Sequence, residues 1–217
     1  MRSPSLTRET RHDERGRAVS RYEHGGAPVD VYDSARTALL VLELFRDESL
    51  RDWEKASLLP SMIFPDPSQA AEAAQGDPQG LLSHILWEAF GLDSDHTHGD
   101  EAPAFDWGQD AARIRASLLA AYGIDWDEAS RALPFADMVG LLASLMETGE
   151  STPFSEAVRA RLAKPPKATR HNKAERDAFA ARRRHFALDG DAQRSAKAAD
   201  DAMADVFAAG MRAARRG

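Results

Sequence analysis

The sequence predicts a mainly α-helical protein, a helical bundle with a small N-terminal β-hairpin and mobile charged termini. Three observations carry that expectation. Apolar residues recur at helical spacing between capping residues and Gly or Pro stops along most of the chain. Period-two alternation is confined to about residues 18–32. Both ends are dense in charge, with six arginines in the first 21 residues and a basic run from Lys164 onward.

At 217 residues, 43% of them hydrophobic and 29% charged, the chain can bury one sizeable core and carry polar additions. Without cysteine it has neither disulfides nor thiolate metal ligands. Its longest apolar runs, around Ala38–Leu42, are too short to span a bilayer, and no basic segment followed by an apolar one opens it. Neither a membrane nor a secretory leader is therefore expected. The net charge of −7 divides unevenly, about +2 over residues 1–29, −15 over 30–163 and +6 over 164–217. An acidic body with a basic end can pair with copies of itself or with a basic partner, or its charges can simply keep it soluble.

Residues 1–17 lack apolar periodicity and read as a disordered Arg-rich tail, in which Glu9, Asp13 and Glu14 cancel much of the field that would attract nucleic acid. A helical body with an N-terminal hairpin (18–32) is expected over 18–188. In the hairpin, Val19, Val29 and Val31 alternate with polar residues around Gly25-Gly26, and Pro28 argues for an edge strand or one that starts at Val29. Asp33 or Ser34 then caps a helix to about Asp47 with Ala38, Leu39, Leu42 and Phe45 inside. Arg51–Met62 is a second helix, carrying Trp53, Leu58 and Leu59 and broken near Pro60. Pro67 opens a short helix through Ala74. Pro78–Phe90 follows, with Leu81, Leu82, Ile85, Leu86 and Ala89 inside and Gly91 as its stop.

A polar linker, 93–104, leads to the best-defined helix, spanning Phe105 to Trp126. Asp106 is its cap and Gln109 the reciprocal member of a capping box. Ile114, Leu118, Ala121 and Tyr122 form its apolar stripe, Gly123 its left-handed stop, and Asp125 with Glu128 the cap of the next helix, 126–132. Pro134–Met146 carries Phe135, Met138, Val139, Leu142 and Leu145 on one face. Thr152-Pro153 opens a helix to Leu162, and Asn172 with Glu175 caps one reaching about Leu188. Residues 189–217 form an Ala-rich C-terminal helix or tail whose stripe, Met203, Val206, Phe207 and Met211, needs a partner to hold it.

Chemistry is harder to find. Asp106, Asp110, Asp125, Asp127 and Glu128 could pair as catalytic acids, but first-turn and capping positions account for the first three. His96 and His98 with Asp93, Asp95 and Asp100 fail the calcium-loop spacing, and read as linker. The sequence has no glycine-rich phosphate loop, no Gly-x-Ser-x-Gly elbow and no His-Glu-x-x-His. No catalytic residue, metal ligand or cofactor site is assigned. The basic run Lys164–Arg184 could hold phosphates through Arg182, Arg183 and Arg184; Phe179 and Phe186, seven apart, more simply share the inner side of a solvated helix. Docking on an acidic protein surface is a third use.

The order of segments resembles the phage gene-product-fifteen family of tailed phages and prophages. The landmarks are Asp33-Ser-Ala-Arg36-Thr37, Leu42-Glu43-Leu44, Asp47-Glu48-Ser-Leu50, Glu54-Lys55 and the Ile63-Phe64 turn. Later ones are the Phe135–Leu145 helix, Thr152-Pro-Phe154-Ser155 with Arg159, and Phe186-Ala187-Leu188. The most specific is Phe105, Asp106, Gln109, Asp110, Ile114, Tyr122, Gly123, Ile124 and Asp125. The Arg-rich start and the part after Gly190 fall outside the match. The resemblance implies a non-enzymatic tail assembly protein of the host bacterial cytoplasm. It would act as a chaperone-like factor for the tape-measure or tail-tube protein, since such genes sit just before the tape-measure gene. Met203, Val206, Phe207, Met211 and surface tryptophans are the partner-binding candidates, and homo-oligomers are possible. Alternatives are a structural virion protein, such as a connector or completion factor, and a nucleic-acid-binding regulator using the basic C-terminal third.

Overall fold

A computed structural model describes residues 1, 5, 7, 9–92, 104–147 and 151–190. The proposed helix over 192–214, with Met203, Val206, Phe207 and Met211, lies outside the described residues, as do His96, His98 and their acidic neighbours. In chain order the strands are β1 (Arg11–His12), β2 (Ala18–His24) and β3 (Ala27–Tyr32). The helices are α1 (Ala35–Arg46), α2 (Asp52–Ile63), α3 (Pro67–Ala74), α4 (Pro78–Ile85), α5 (Ala111–Tyr122), α6 (Trp126–Ala132), α7 (Phe135–Glu147), α8 (Pro153–Leu162) and α9 (Lys173–His185). A π-helical turn, Leu86–Phe90, continues α4 up to Gly91. The protein is mainly α. Where composition suggests one body over 18–188, the described residues fall into two compact units: residues up to 92 with Trp126–Gly140, and residues 104–125 with 141–190.

In the first unit β2 and β3 form the expected hairpin, with Val19 opposite Tyr32 and His24 opposite Ala27. Gly25 and Gly26 both have positive φ, 58° and 83°. A two-residue loop of that kind matches the twist of the strands it joins, and side chains resist it. Pro28 lies within β3, which is an edge strand, where a missing N–H is tolerated. Val29 and Val31 point inward beside Tyr22, covered by α3, while α4 packs on β2. The Nδ1 atoms of His24 and His84 meet at 3.0 Å and tie the hairpin's tip to α4.

The segment expected to be a tail contributes β1, which pairs Arg11 with Val19 and His12 with Ala18. Composition missed it because two residues carry no periodicity, and a local turn together with partners remote in sequence holds them. Asp13 accepts hydrogen bonds from the Arg15 and Arg17 N–H groups and pairs with the Arg17 guanidinium. His12 Nε2–H donates to Ala132 O at 2.9 Å, and Arg11 pairs with Asp30 on β3 at 2.6 Å.

Helix α1 starts where Ser34 Oγ accepts the Thr37 N–H, as its cap predicts. Its buried stripe is Ala38, Val41, Leu44 and Phe45; Leu39 and Leu42 are only half-buried. Both stripes have helical spacing, and the packing of α2 and α6 selects between them. Helix α2 runs through Pro60 to Ile63 rather than breaking there, because the last turn still closes its own bonds, Phe64 N–H reaching Pro60 O at 2.9 Å. Its buried residues are Lys55, Leu59 and Ile63, with Lys55 Nζ donating to Phe45 O at 2.9 Å. Trp53 and Leu58 point outward instead, 56% and 44% exposed. Asp66 and Asp77 cap α3 and α4, each ahead of a proline at the first helical position. The starts of α1 and α7 meet through a Ser34–Pro134 bridge, Ala35 N–H to Leu133 O and Phe135 N–H to Asp33 O.

In the second unit α5 packs on α8 and α8 on α9. Thr152 and Ser155 make a reciprocal cap for α8, and the buried Ser117 hydroxyl of α5 accepts the Phe154 N–H at 3.0 Å. The expected Asn172 cap on α9 is absent: Asn172 turns back to the Thr169 N–H and Lys167 O. Replacing Ser34 by Ala should lower stability by about 1 kcal/mol, within the range for lost helix caps. A urea midpoint unchanged from wild type would show that the cap is not needed.

Candidate functional site

The family-like stretch from Phe105 to Asp125 builds the centre of the second unit, in a way its local spacing does not reveal. Asp106 Oδ1 accepts the Gly108 and Gln109 N–H groups at 2.8 Å each, so it caps a turn over 107–110, ahead of α5 proper. Gln109 does not complete a capping box. Its amide reaches the far end of the unit, Nε2–H donating to Ala187 O and Oε1 accepting the Asp189 N–H. Asp110 takes the place expected of Gln109 by accepting the Asp106 N–H at 3.2 Å.

Asp110 is also the chief correction to the sequence reading. It caps nothing with its side chain; it is fully buried and ion-paired. Arg161 of α8 grips both its oxygens, Nη1–Oδ2 at 2.6 Å and Nη2–Oδ1 at 2.9 Å, and Arg113 adds Nη1–Oδ1 at 2.7 Å. The rest of the Arg161 guanidinium binds backbone, Nη1 to Ala104 O and Nε to Phe186 O. Arg113 also lies over the Phe186 ring, 5.6 Å from its centroid. Three segments distant in sequence converge on one planar cation, a fork geometry that lysine cannot reproduce. Phe105 packs edge-on against Trp107 and Phe154 beside this cluster.

Burial pushes the Asp110 carboxyl toward its neutral form. The hydrogen bonds from Arg161, Arg113 and the Asp106 N–H, with the charge of Arg161, outweigh it and hold the carboxyl below the ordinary aspartate value of 3.8. An ionised carboxylate with four fixed donors has no lone pair left for a substrate proton, which removes Asp110 from acid–base chemistry. On α5, Ile114 and Leu118 are buried as expected. Ala121 is only half-buried, and Tyr122 is 37% exposed with its hydroxyl on Leu141 O. Gly123 adopts φ 67° and ends the helix. With a buried stripe of Ile114, Ser117 and Leu118, α5 is one wall of the second unit.

Two grooves complete the candidate surfaces. In the first unit, α2, α3 and α4 enclose about 300 Å³ lined by Ser57, Pro60, Ser61, Phe64, Pro67, Ala70, Ala71, Ala74, Pro78, Leu81 and Leu82, without a charged side chain. In the second unit, α9 and Pro165-Pro166 flank about 730 Å³ whose lining mixes Phe179 and Ala180 with Lys173, Arg176, Arg183 and Arg184. Among the described residues no three His, Asp or Glu side chains are grouped to hold a metal ion.

The model of a family described as Bacteriophage Gp15 protein matches residues 18–188. The chain belongs to that family. No curated protein and no solved structure matches it. Membership gives the Gp15-family protein a phage structural or assembly role. The match starts at the first residue of β2 and ends at Leu188, a buried residue between the two that Gln109 binds. It thus takes in both units and the whole Asp110 cluster. Sequence reasoning named Asp110 and Gln109 but missed Arg161, the key partner of Asp110 in the fold. The available hint was an arginine, the ninth residue of α8, on a helix face otherwise made of the apolar residues Phe154, Ala157 and Val158.

Replacing Arg161 by Met leaves Asp110 buried without its main partner and should cost about 3–5 kcal/mol, whereas adding Asp110→Leu should restore most of the loss. Urea unfolding of the single and double variants decides this; equal losses in both would refute the pairing argument. The folded-state pKa of Asp110 is depressed, so its contribution is complete above the ordinary value of 3.8 and is lost as pH falls through the lower folded value. The acid limb of stability should therefore be shallower in Asp110→Asn than in wild type, as measured by the helical circular dichroism signal at graded pH.

Proposed function

We propose that this Gp15-family protein is a tail assembly factor, non-enzymatic and chaperone-like, acting in the host bacterial cytoplasm. Its client is the tape-measure or tail-tube protein, and the α2–α3–α4 groove receives an apolar helix of that client. The observation that supports this reading is the groove's lining. Prolines, alanines and serines leave a shallow trough over Phe64 and Leu81, wide enough for side chains of several shapes, and no charge on the wall penalises an apolar guest. Small residues let a helix backbone approach closely, and a client whose helices pack only after assembly needs such cover beforehand. Exposed Leu58 lies on α2, one of the groove's walls, and extends the apolar surface available.

Ala71 is exposed and lines the groove, so Ala71→Arg places a charge there without entering the core. Co-expression of the wild type with the tape-measure protein should raise the client's soluble yield several-fold and give a co-purifying complex, and Ala71→Arg should abolish both. Failure of wild type to bind either tail protein would sink the proposal. Retention of the protein in purified virions would assign it a structural place in the particle instead.

A further inference from the structure

The groove beside α9 has features that the assembly reading leaves unused. Helix α9 buries none of its residues, although it is 13 residues long. Arg176, Phe179, Ala180 and Arg183 recur at i, i+3, i+4 and i+7, so a half-buried phenylalanine sits between two cations on one face. Pro165 and Pro166 form the opposite wall, and Lys173, Arg176, Arg183 and Arg184 against Asp177 give the lining a net charge of +3. A track for nucleic acid needs cations spread along a backbone path, with stacking faces exposed. Here the cations share one groove with Phe179, Ala180 and two prolines, which suits a bulky side chain carried on an acidic segment.

The chain presents such a segment itself. Trp53 is the most exposed tryptophan among the described residues, at 56%, on the first turn of α2. It lies in the run Asp47–Glu54, whose net charge is −3. A single indole buries about 150–250 Å² and is a common anchor at protein contacts. We propose that the cationic groove of α9 receives Trp53 of a second copy of this chain, so that copies join head to tail. Such a contact is heterologous: each molecule keeps one free knob and one free groove, and association continues past the dimer. Its area falls short of the about 1,000 Å² of a stable interface, which makes it weak and responsive to concentration and salt. This contact is independent of the client-binding reading and uses a different groove.

The test is sedimentation velocity of the full chain across a concentration series. Wild type should self-associate, and raising salt from about 0.1 M to 1 M, which shortens the Debye length from about 10 Å to 3 Å, should reverse it. Trp53→Ala, which loses the knob, and Arg176→Glu with Arg183→Glu, which loses the groove, should each weaken association by at least about tenfold while keeping the helical circular dichroism signal. An equimolar mixture of the two variants retains one intact knob and one intact groove. It should form a heterodimer that grows no further. A wild type that stays monomeric at every concentration overturns the proposal, as does association abolished by nuclease, or a mixture that remains monomeric while both variants are folded.

Discussion

The second unit is organised by a charge that could not be buried alone. Transferring a carboxylate out of water costs several kcal/mol unless its lone pairs are filled. Asp110 meets that condition with two arginines and one backbone N–H, and Arg161 in turn is held by two carbonyls as well as the carboxylate. The donors and acceptors of this cluster come from segments that must be in place at once: the turn before α5, α5 itself, the body of α8 and the residues after α9. Against well-packed apolar residues such a cluster adds little net stability. Its effect is that partial assembly is penalised, because each missing segment leaves a buried ion or an unmatched carbonyl.

The first unit is held differently. There the sheet supplies an apolar face, α3 and α4 cover it, and the buried polar groups include the Ser34–Thr37 cap of α1 and Lys55, whose ammonium reaches a carbonyl at the end of α1. Removing that lysine's partner is impossible by side-chain substitution, since the acceptor is backbone. The unit's surface then combines a neutral groove with an acidic, tryptophan-bearing end of α2, whereas the second unit bears the cationic groove. The two grooves of this Gp15-family chain thus differ in chemistry, one neutral and one cationic.

What could be read from sequence follows from the range of the forces involved. The turn of the hairpin, the helix starts at Ser34, Pro67, Pro78 and Thr152 and the stop at Gly123 are set by residues within four positions of one another, and the structure places them as the residues dictate. Helix faces were half legible: Ala38 and Phe45 are inside as spacing requires, but the choice of Val41 and Leu44 over Leu39 and Leu42 depends on neighbours remote in sequence. Long-range pairing left the weakest trace. Asp110 and Arg161 are separated by 51 positions, and Gln109 and Ala187 by 78, so a local rule assigned the first and second of these to caps. Asn172 shows the reverse case, a good capping residue drawn to a nearer acceptor on the other side. Strand β1 was hidden because two residues carry no periodicity.

Gln109 has one further consequence. Its amide offers one hydrogen to Ala187 O and one lone pair to the Asp189 N–H, so it reads the direction of the backbone across from it much as a neighbouring strand would. Glutamate has the same outline but would turn two acceptors toward a site with one donor and one acceptor. Lysine would fail in the opposite sense, and asparagine is one methylene short. Position 109 is thus set by polarity and reach together, and the direction in which the chain leaves Leu188 is written into a single carboxamide.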